Sequence, residues 1–256
     1  MSRRISLLGS TGSIGESTLH VIRHHSERLK VEALAALGSK LDRLEQQVRE
    51  FRPSLVAVRD PVKASELESR VGEMTRVVSG DSGLLDAARL EGVDLVVAAV
   101  VGAAGLPATY AALEAGKDVA LANKESLVVA GRLLKELAEA SGASLLPIDS
   151  EHVALHQSLR SGHPSEVFRL MLTASGGPFR NRKISTWGEI GPEEALRHPT
   201  WRMGAKISVD SATLMNKGLE LIEAHHLFDV APDRIEVVVH PQSIVHSLVC
   251  LLYTSP

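Results

Sequence analysis

Short apolar runs occupy residues 5–8, 31–37, 55–58, 77–78, 95–101, 119–122 and 145–148. Between most of them the apolar positions recur every three or four residues, as at 16–24, 41–51 and 106–115. Runs this short and rich in Val, Ile and Leu fit buried strands, and the longer periodic stretches fit helices laid on them. Strands alternating with helices predict βαβ units, hence an α/β, Rossmann-like doubly wound parallel sheet. The character changes near Pro147. Beyond it the pattern predicts a helix after Ser150, a strand at 168–174 and a Gly/Pro-rich loop at 175–179. It then predicts a mobile loop at 186–205, a helix at 215–225 and strands at 234–240 and 243–252. We therefore expect two domains, a nucleotide-binding one over 1–147 and an α+β catalytic one over 148–256.

Composition narrows the class. Hydrophobic residues make up 44% and charged residues 23%, which fits a globular chain and excludes disorder. The net charge of -3 argues against a nucleic-acid partner, which calls for a basic face. Cys250 is the one cysteine, so no intrachain disulfide forms. The longest apolar run, 95–101, is far too short to span a bilayer. The N-terminus enters a strand pattern at once, without a signal-peptide pattern. These features predict a cytoplasmic protein with no membrane partner.

The first candidate chemistry follows the first strand. Gly9-Ser10-Thr11-Gly12-Ser13-Ile14-Gly15 joins a strand to a helix with spacing G-x-x-G-x-x-G. Glycines let the backbone approach a pyrophosphate, and the helix start offers free N–H groups. After the second strand an NAD site usually carries an acid for the ribose 2′-OH. Here Gly38-Ser39-Lys40 stands instead, and a serine and a lysine suit the 2′-phosphate of NADP. Residues 101–105 and Asn123-Lys124-Glu125 sit at later strand ends on the same expected edge of the sheet, where ligands bind.

The second candidate chemistry lies past Pro147. Asp149 and Glu151 are two apart; in extended chain they would face the same way, and two such carboxylates repel unless they share a cation. Oxygen ligands suit Mg²⁺ or Mn²⁺. Asn216 and Glu220 share a helix face, with Lys217 one step round. A serine-rich turn bearing Ser208, Asp210, Ser211 and Thr213 leads into that helix. Ser175-Gly176-Gly177 after a strand has the make-up of an anion nest.

With these pieces in place, the chain resembles the family of 1-deoxy-D-xylulose 5-phosphate reductoisomerases. The resemblance is carried by GSTGSIG at 9–15, ANKESLV at 122–128, PIDSEH at 147–152, SGGPF at 175–179, HPTW at 198–201, KISVDSAT at 206–213, MNKGLE at 215–220 and HPQS at 240–243. It implies NADPH as cofactor, a divalent metal on Asp149, Glu151 and Glu220, and a sugar phosphate as substrate. It implies that Ser175, Ser211, Asn216 and Lys217 hold the substrate phosphate, that Lys124 and Ser150 meet its hydroxyls and carbonyl, and that His198 and Trp201 belong to a lid. Cofactor contacts fall to residues 9–14, Asn123, Glu125 and Gly204, with Gly38, Ser39 and Lys40 a looser match. Lys124, Asp149, Glu151, His198 and Glu220 are the implied catalytic group.

The resemblance implies a homodimer, and a linker and C-terminal helical domain in the family that are expected to be absent here. After about Leu248 the chain leaves the family pattern, which predicts a truncation or a sequence junction. Two other outcomes are distinguishable: an inactive fragment that keeps NADP(H) binding, and a Rossmann aldehyde dehydrogenase. The latter needs a mid-chain thiol, and Cys250 does not supply one.

Overall fold

The computed structural model describes residues 2–201 and 204–253. The chain divides into two compact units, Met1–Leu146 and Pro147–Pro256.

The first unit is built on a seven-stranded sheet. In chain order it contains β1 (Arg3–Leu8), α1 (Ser13–His24), β2 (Leu29–Ala36), α2 (Leu41–Phe51), β3 (Leu55–Val58), α3 (Pro61–Val71) and β4 (Arg76–Ser79). It continues with α4 (Gly80–Arg89), β5 (Leu95–Ala98), α5 (Leu106–Glu114), β6 (Asp118–Leu121) and α6 (Lys124–Ser141), and closes with β7 (Leu145–Pro147). The strand order is β4-β3-β2-β1-β5-β6-β7, and β1 pairs in parallel with both β2 and β5. The order reverses direction at β1, and the gap beyond the carboxyl ends of β1 and β5 is where doubly wound sheets take ligands.

The central strands are buried on both faces. Ile5, Leu7, Leu8, Leu34, Val56 and Val96 are all 2% exposed or less, which is why these strands read as continuous apolar runs rather than alternating ones. The helices over them start by recognisable rules. Asp60 caps α3 by accepting from the Val62 and Lys63 amides, with Pro61 in the first turn. The strand expected over 95–101 stops at Ala98. Ala99 still donates to the Leu8 carbonyl (2.9 Å), but Gly102 at φ 76° then turns the chain away from the sheet.

The second unit is α+β. Helices α7 (Ser150–Ser158), α8 (Pro192–Ala195), α9 (Ala205–Ala212) and α10 (Met215–Phe228) accompany β8 (Val167–Ala174), β9 (Ile235–Val239) and β10 (Ser247–Leu251). The sheet order is β10-β8-β9, antiparallel on one side and parallel on the other. Leu155 of α7, Ala224 of α10, Leu170 and Leu172 of β8, Val230 and Ile235 form its core.

Two expectations are corrected here, and a third segment gains detail. The serine-rich stretch at 206–213 is not a turn but helix α9, supported by a Lys206–Asp210 pair one turn apart (2.7 Å). The segment expected to be a mobile loop over 186–205 carries a 3₁₀ turn at Ile184–Glu189 and helix α8, tied by Arg182 to Glu194 (2.6 Å); residues 202–203 lie outside the described residues. The last strand begins at Ser247 rather than 243, because the His240 ring accepts from the Ile244 and Val245 amides and holds a turn there. Residues 254–256, part of the C-terminal segment expected to be a junction, also lie outside the described residues.

Candidate functional site

In the first unit the glycine-rich turn runs from the end of β1 into α1. Gly9 has φ 94°, and a Cβ there would sit 2.5 Å from the Ala99 carbonyl. A Cβ on Gly15 would overlap the carbonyls of Gly9 and Ser10. Any side chain at either position would therefore push the turn off β5 or off α1. Gly9 and Ser10 amides both donate to the Ala35 carbonyl of β2 (2.8 and 2.9 Å). Gly12 is the N-cap of α1 and supplies no side-chain cap. The first-turn amides of α1 thus keep the unsatisfied donors of an open helix start. Thr11 is half-buried, and Gly12, Ser13 and Ile14 are exposed.

The neighbouring turn after β2 places Gly38, Ser39 and Lys40. Gly38 has φ 107°, and Ser39 and Lys40 are exposed. The Lys40 ammonium donates to the Thr11 carbonyl (3.1 Å), which brings the lysine onto the glycine-rich turn. At the β6 end, Asn123 is buried and its side chain is occupied by structure. Its Nδ2 donates to the Val100 (2.6 Å) and Gly102 (2.8 Å) carbonyls, and its Oδ1 accepts from the Ser126 amide. Asn123 therefore caps α6 and anchors the β5 turn. Glu125 is half-buried and bonds Asn123 (3.0 Å), and Lys124 is buried.

In the second unit the carboxylates converge. Asp149, Glu151 and Glu220 each offer an oxygen, all within 4.8 Å of one another. The route differs from the expected one. Asp149 and Glu151 do not alternate along a strand; Asp149 is the N-cap of α7 and Glu151 lies in its first turn. Ser150 between them is exposed and donates to Glu151 Oε2 (2.8 Å). Glu220 comes from α10 and is 1% exposed.

Burial first of all, and then the negative charges of Glu220 and Asp149, push the Glu151 carboxyl up from its ordinary range; Lys217 and a bond from His246 pull it back. Lys217, 6% exposed, pairs with Glu220 and stands 3.9 Å from Glu151. Asn216 donates to Glu220 Oε1 (2.5 Å). These two residues, expected on the substrate phosphate, thus turn toward the carboxylates in this structure.

Ser175 and His198 form a separate pair (2.9 Å). The His198 Nδ1 accepts from the Thr200 and Trp201 amides (3.2 and 3.0 Å), so its Nε2 carries the proton and donates to Ser175 Oγ. Burial, then the charge of Arg180, holds His198 below its ordinary pKa. Trp201 and Gly204 are exposed. Gly177, at φ 68°, lies so close to Ser211 that a Cβ would overlap the Ser211 carbonyl, which joins the Ser175 loop to α9.

Two residues were missed from the sequence. His246 reaches Glu151 (3.2 Å) from just before β10, 95 positions away, with no local signal. His152 is buried behind the triad. Its Nε2 donates to the Glu220 carbonyl (2.9 Å), and its Nδ1 faces Glu223 at 3.9 Å. The PIDSEH run carried it next to a ligand candidate, but nothing local showed that it packs against Glu220 and Glu223.

Residues 5–131 match the family described as 1-deoxy-D-xylulose 5-phosphate reductoisomerase, and residues 145–228 match its C-terminal domain. A reductoisomerase of Chlorobium phaeovibrioides is 56% identical over 249 residues, 96% of this chain and 65% of the relative. That of Thermomicrobium roseum is 54% identical over 97% of this chain and 63% of the relative. The chain thus spans about 65% of the length of the curated relatives it matches.

Among solved structures, a DOX-P reductoisomerase in complex with NADPH, fosmidomycin and magnesium superposes with TM-score 0.92 at 48% identity, over 98% of this chain and 64% of that one. The Zymomonas mobilis enzyme in complex with NADPH gives 0.91 at 42%, over 100% and 66%. Matched by both family descriptions across most of its length, the chain belongs to the 1-deoxy-D-xylulose 5-phosphate reductoisomerase family.

Proposed function

We propose that this chain carries the NADPH- and divalent-metal-dependent conversion of 1-deoxy-D-xylulose 5-phosphate to 2-C-methyl-D-erythritol 4-phosphate, a skeletal rearrangement followed by a reduction, in isoprenoid precursor synthesis. The observation that carries it is the convergence of Asp149, Glu151 and Glu220 on one point. The donor set is oxygen only, which suits Mg²⁺ or Mn²⁺. Its charge also suits a cation: burial pushes the Glu151 carboxyl up, Lys217 pulls it back, and the charges of Glu220 and Asp149 add to the rise. A bound divalent ion supplies positive charge to the oxygens of the reacting carbonyl and hydroxyl. NADPH, when bound, supplies the hydride for the reduction.

The chain's own residues do the rest. The exposed turn at residues 11–14 offers helix-start amides to a pyrophosphate, and Lys40 offers its ammonium to a 2′-phosphate. Gly38 and Ser39 beside it, with Asn123, Glu125 and Gly204, are the further cofactor positions carried by the family resemblance. Ser175, Ser211, Asn216 and Lys217 supply donors for the substrate phosphate, whose binding energy can be used for orientation. Lys124 and Ser150 meet the substrate hydroxyls. His198 and Trp201, linked through the His198 ring, belong to a segment that excludes water when it closes over substrate.

Among the described residues no helix is long and apolar enough to cross a membrane. We place the protein in the cytoplasm, with no membrane or nucleic-acid partner. We also propose a homodimer formed through the second unit, where Val237, Val238 and Val239 of β9 are all more than a third exposed.

The test is loss of reduced-nicotinamide absorbance with 1-deoxy-D-xylulose 5-phosphate and Mn²⁺, with and without chelator. Turnover that the chelator abolishes supports the assignment. NADPH binding without turnover would overturn it and leave a cofactor-binding fragment.

A further inference from the structure

Gln47 lies on α2, outside every residue assigned above, and is 2% exposed. A buried amide is kept at a cost unless its hydrogen bonds matter, since an apolar side chain fills the same space more cheaply. Its nitrogen donates in two directions: to the Ser10 carbonyl (3.0 Å) and to Glu16 Oε1 (2.9 Å). Both partners are acceptors, so chemistry fixes which end of the amide faces them. Among the described residues the opposite end meets no hydrogen-bond partner, and neither does the buried Ser10 hydroxyl.

Those contacts fall on the glycine-rich turn. The Ser10 amide is held by Ala35 (2.9 Å), and its carbonyl by Gln47, so both peptide groups of residue 10 are fixed. The Ser10 carbonyl also lies where a Cβ of Gly15 would be, so its position sets how closely α1 approaches the turn. Glu16, in the first turn of α1, is gripped by Gln47 and by Arg43 (2.6 Å), and the Arg43 bond holds its carboxyl below the usual range. Helix α2 thus clamps both the turn and the helix whose N-terminal amides point outward.

We propose that Gln47 is a positioning residue for nucleotide binding: without touching the cofactor, it holds the Ser10 carbonyl and Glu16 so that the amides of residues 11–14 keep one orientation. The functional half rests on the cofactor assignment above. The pyrophosphate is common to NADPH and NADH, so a defect in the turn weakens both alike, whereas a 2′-phosphate contact affects NADPH alone.

The test compares the wild-type chain with Gln47→Met, which keeps the volume and removes the donors. Glu16→Gln serves as a milder second variant at a half-exposed site should Gln47→Met fail to fold. Hydrogen exchange of amides 9–16 and titrations with NADPH and NADH are read in parallel. We expect faster exchange in that segment. We also expect both dissociation constants to rise by about tenfold, the loss of one hydrogen bond to a constrained group, with their ratio unchanged. Unchanged exchange, or faster exchange with unchanged binding of both cofactors, would overturn the proposal. Failure of the wild-type chain itself to bind either nucleotide would instead overturn the cofactor assignment, while the exchange data would still decide whether Gln47 holds the turn.

Discussion

Lys40 and His198 show how single side chains translate into measurable behaviour. Lys40 is anchored to Thr11 beside the proposed 2′-phosphate position, so Lys40→Glu is expected to move the preference from NADPH toward NADH by about tenfold, one charge contact in free energy. A ratio of dissociation constants that does not move would make Lys40 a strut for the turn and nothing more. His198 is held neutral, because its Nδ1 accepts from two amides and its pKa is depressed by burial and Arg180. For a base whose folded pKa lies below its unfolded value, the contribution to stability is present above about pH 6.5. It is lost as pH falls through the folded value, where the unfolded chain binds the extra proton first. Loosening of residues 198–201 below neutrality, read by Trp201 fluorescence, is the expected outcome; fluorescence flat across the His198 titration would contradict it. These residues were visible in the sequence as motif members. Their partners were not, since nothing local pairs Ser175 with His198.

Helices and turns carry the next part. The glycine-rich turn was legible because its signals are local: a strand, three glycines and a helix start, with Gly9 and Gly15 required by contacts that leave no room for Cβ. The D-x-E run was legible as a carboxylate pair but was assigned the wrong backbone. Asp149 leaves β7 as an N-cap and the chain coils at once into α7, so the two acids meet through a helical first turn rather than through strand alternation. Helix α9 was hidden for a related reason, because Ser208 and Ser211 favour turns in isolation, yet both fall within the helix. Gly177 tests the packing between that helix and the Ser175 loop. Gly177→Ala must adopt φ 68° and displace the Ser211 carbonyl. We expect a loss of more than about 1 kcal/mol in unfolding free energy, with weaker binding of the substrate phosphate. Wild-type stability in a denaturant titration would show that the contact can relax at no cost.

The two units differ in how much of each could be read ahead. The first is governed by chain-order rules, with consecutive βα steps and a reversal at β1, and its strands announced themselves as apolar runs. The second assembles its centre from distant stretches. Asp149 and Glu151 come from α7, Glu220 from α10, and His246 from the approach to β10, and no periodicity links them. What the sequence lacked was the long-range pairing that brings Glu151 and His246 to the helix face already shared by Asn216 and Glu220, and Lys217 to within 3.9 Å of Glu151.

The metal-free centre has its own pH signature. Glu151 is raised above its ordinary value, so its contribution to stability is full below that value and is lost as pH rises through the folded one. Added divalent cation should remove that loss. The most direct measurement is a Mn²⁺ titration followed by electron paramagnetic resonance at neutral pH, on the wild-type chain and on Glu151→Gln, with NADPH binding recorded alongside. One Mn²⁺ per chain, bound at least about tenfold more weakly by Glu151→Gln while NADPH affinity is unchanged, is the predicted result. Equal Mn²⁺ affinity in the two proteins would contradict the assignment of Asp149, Glu151 and Glu220 as the metal centre.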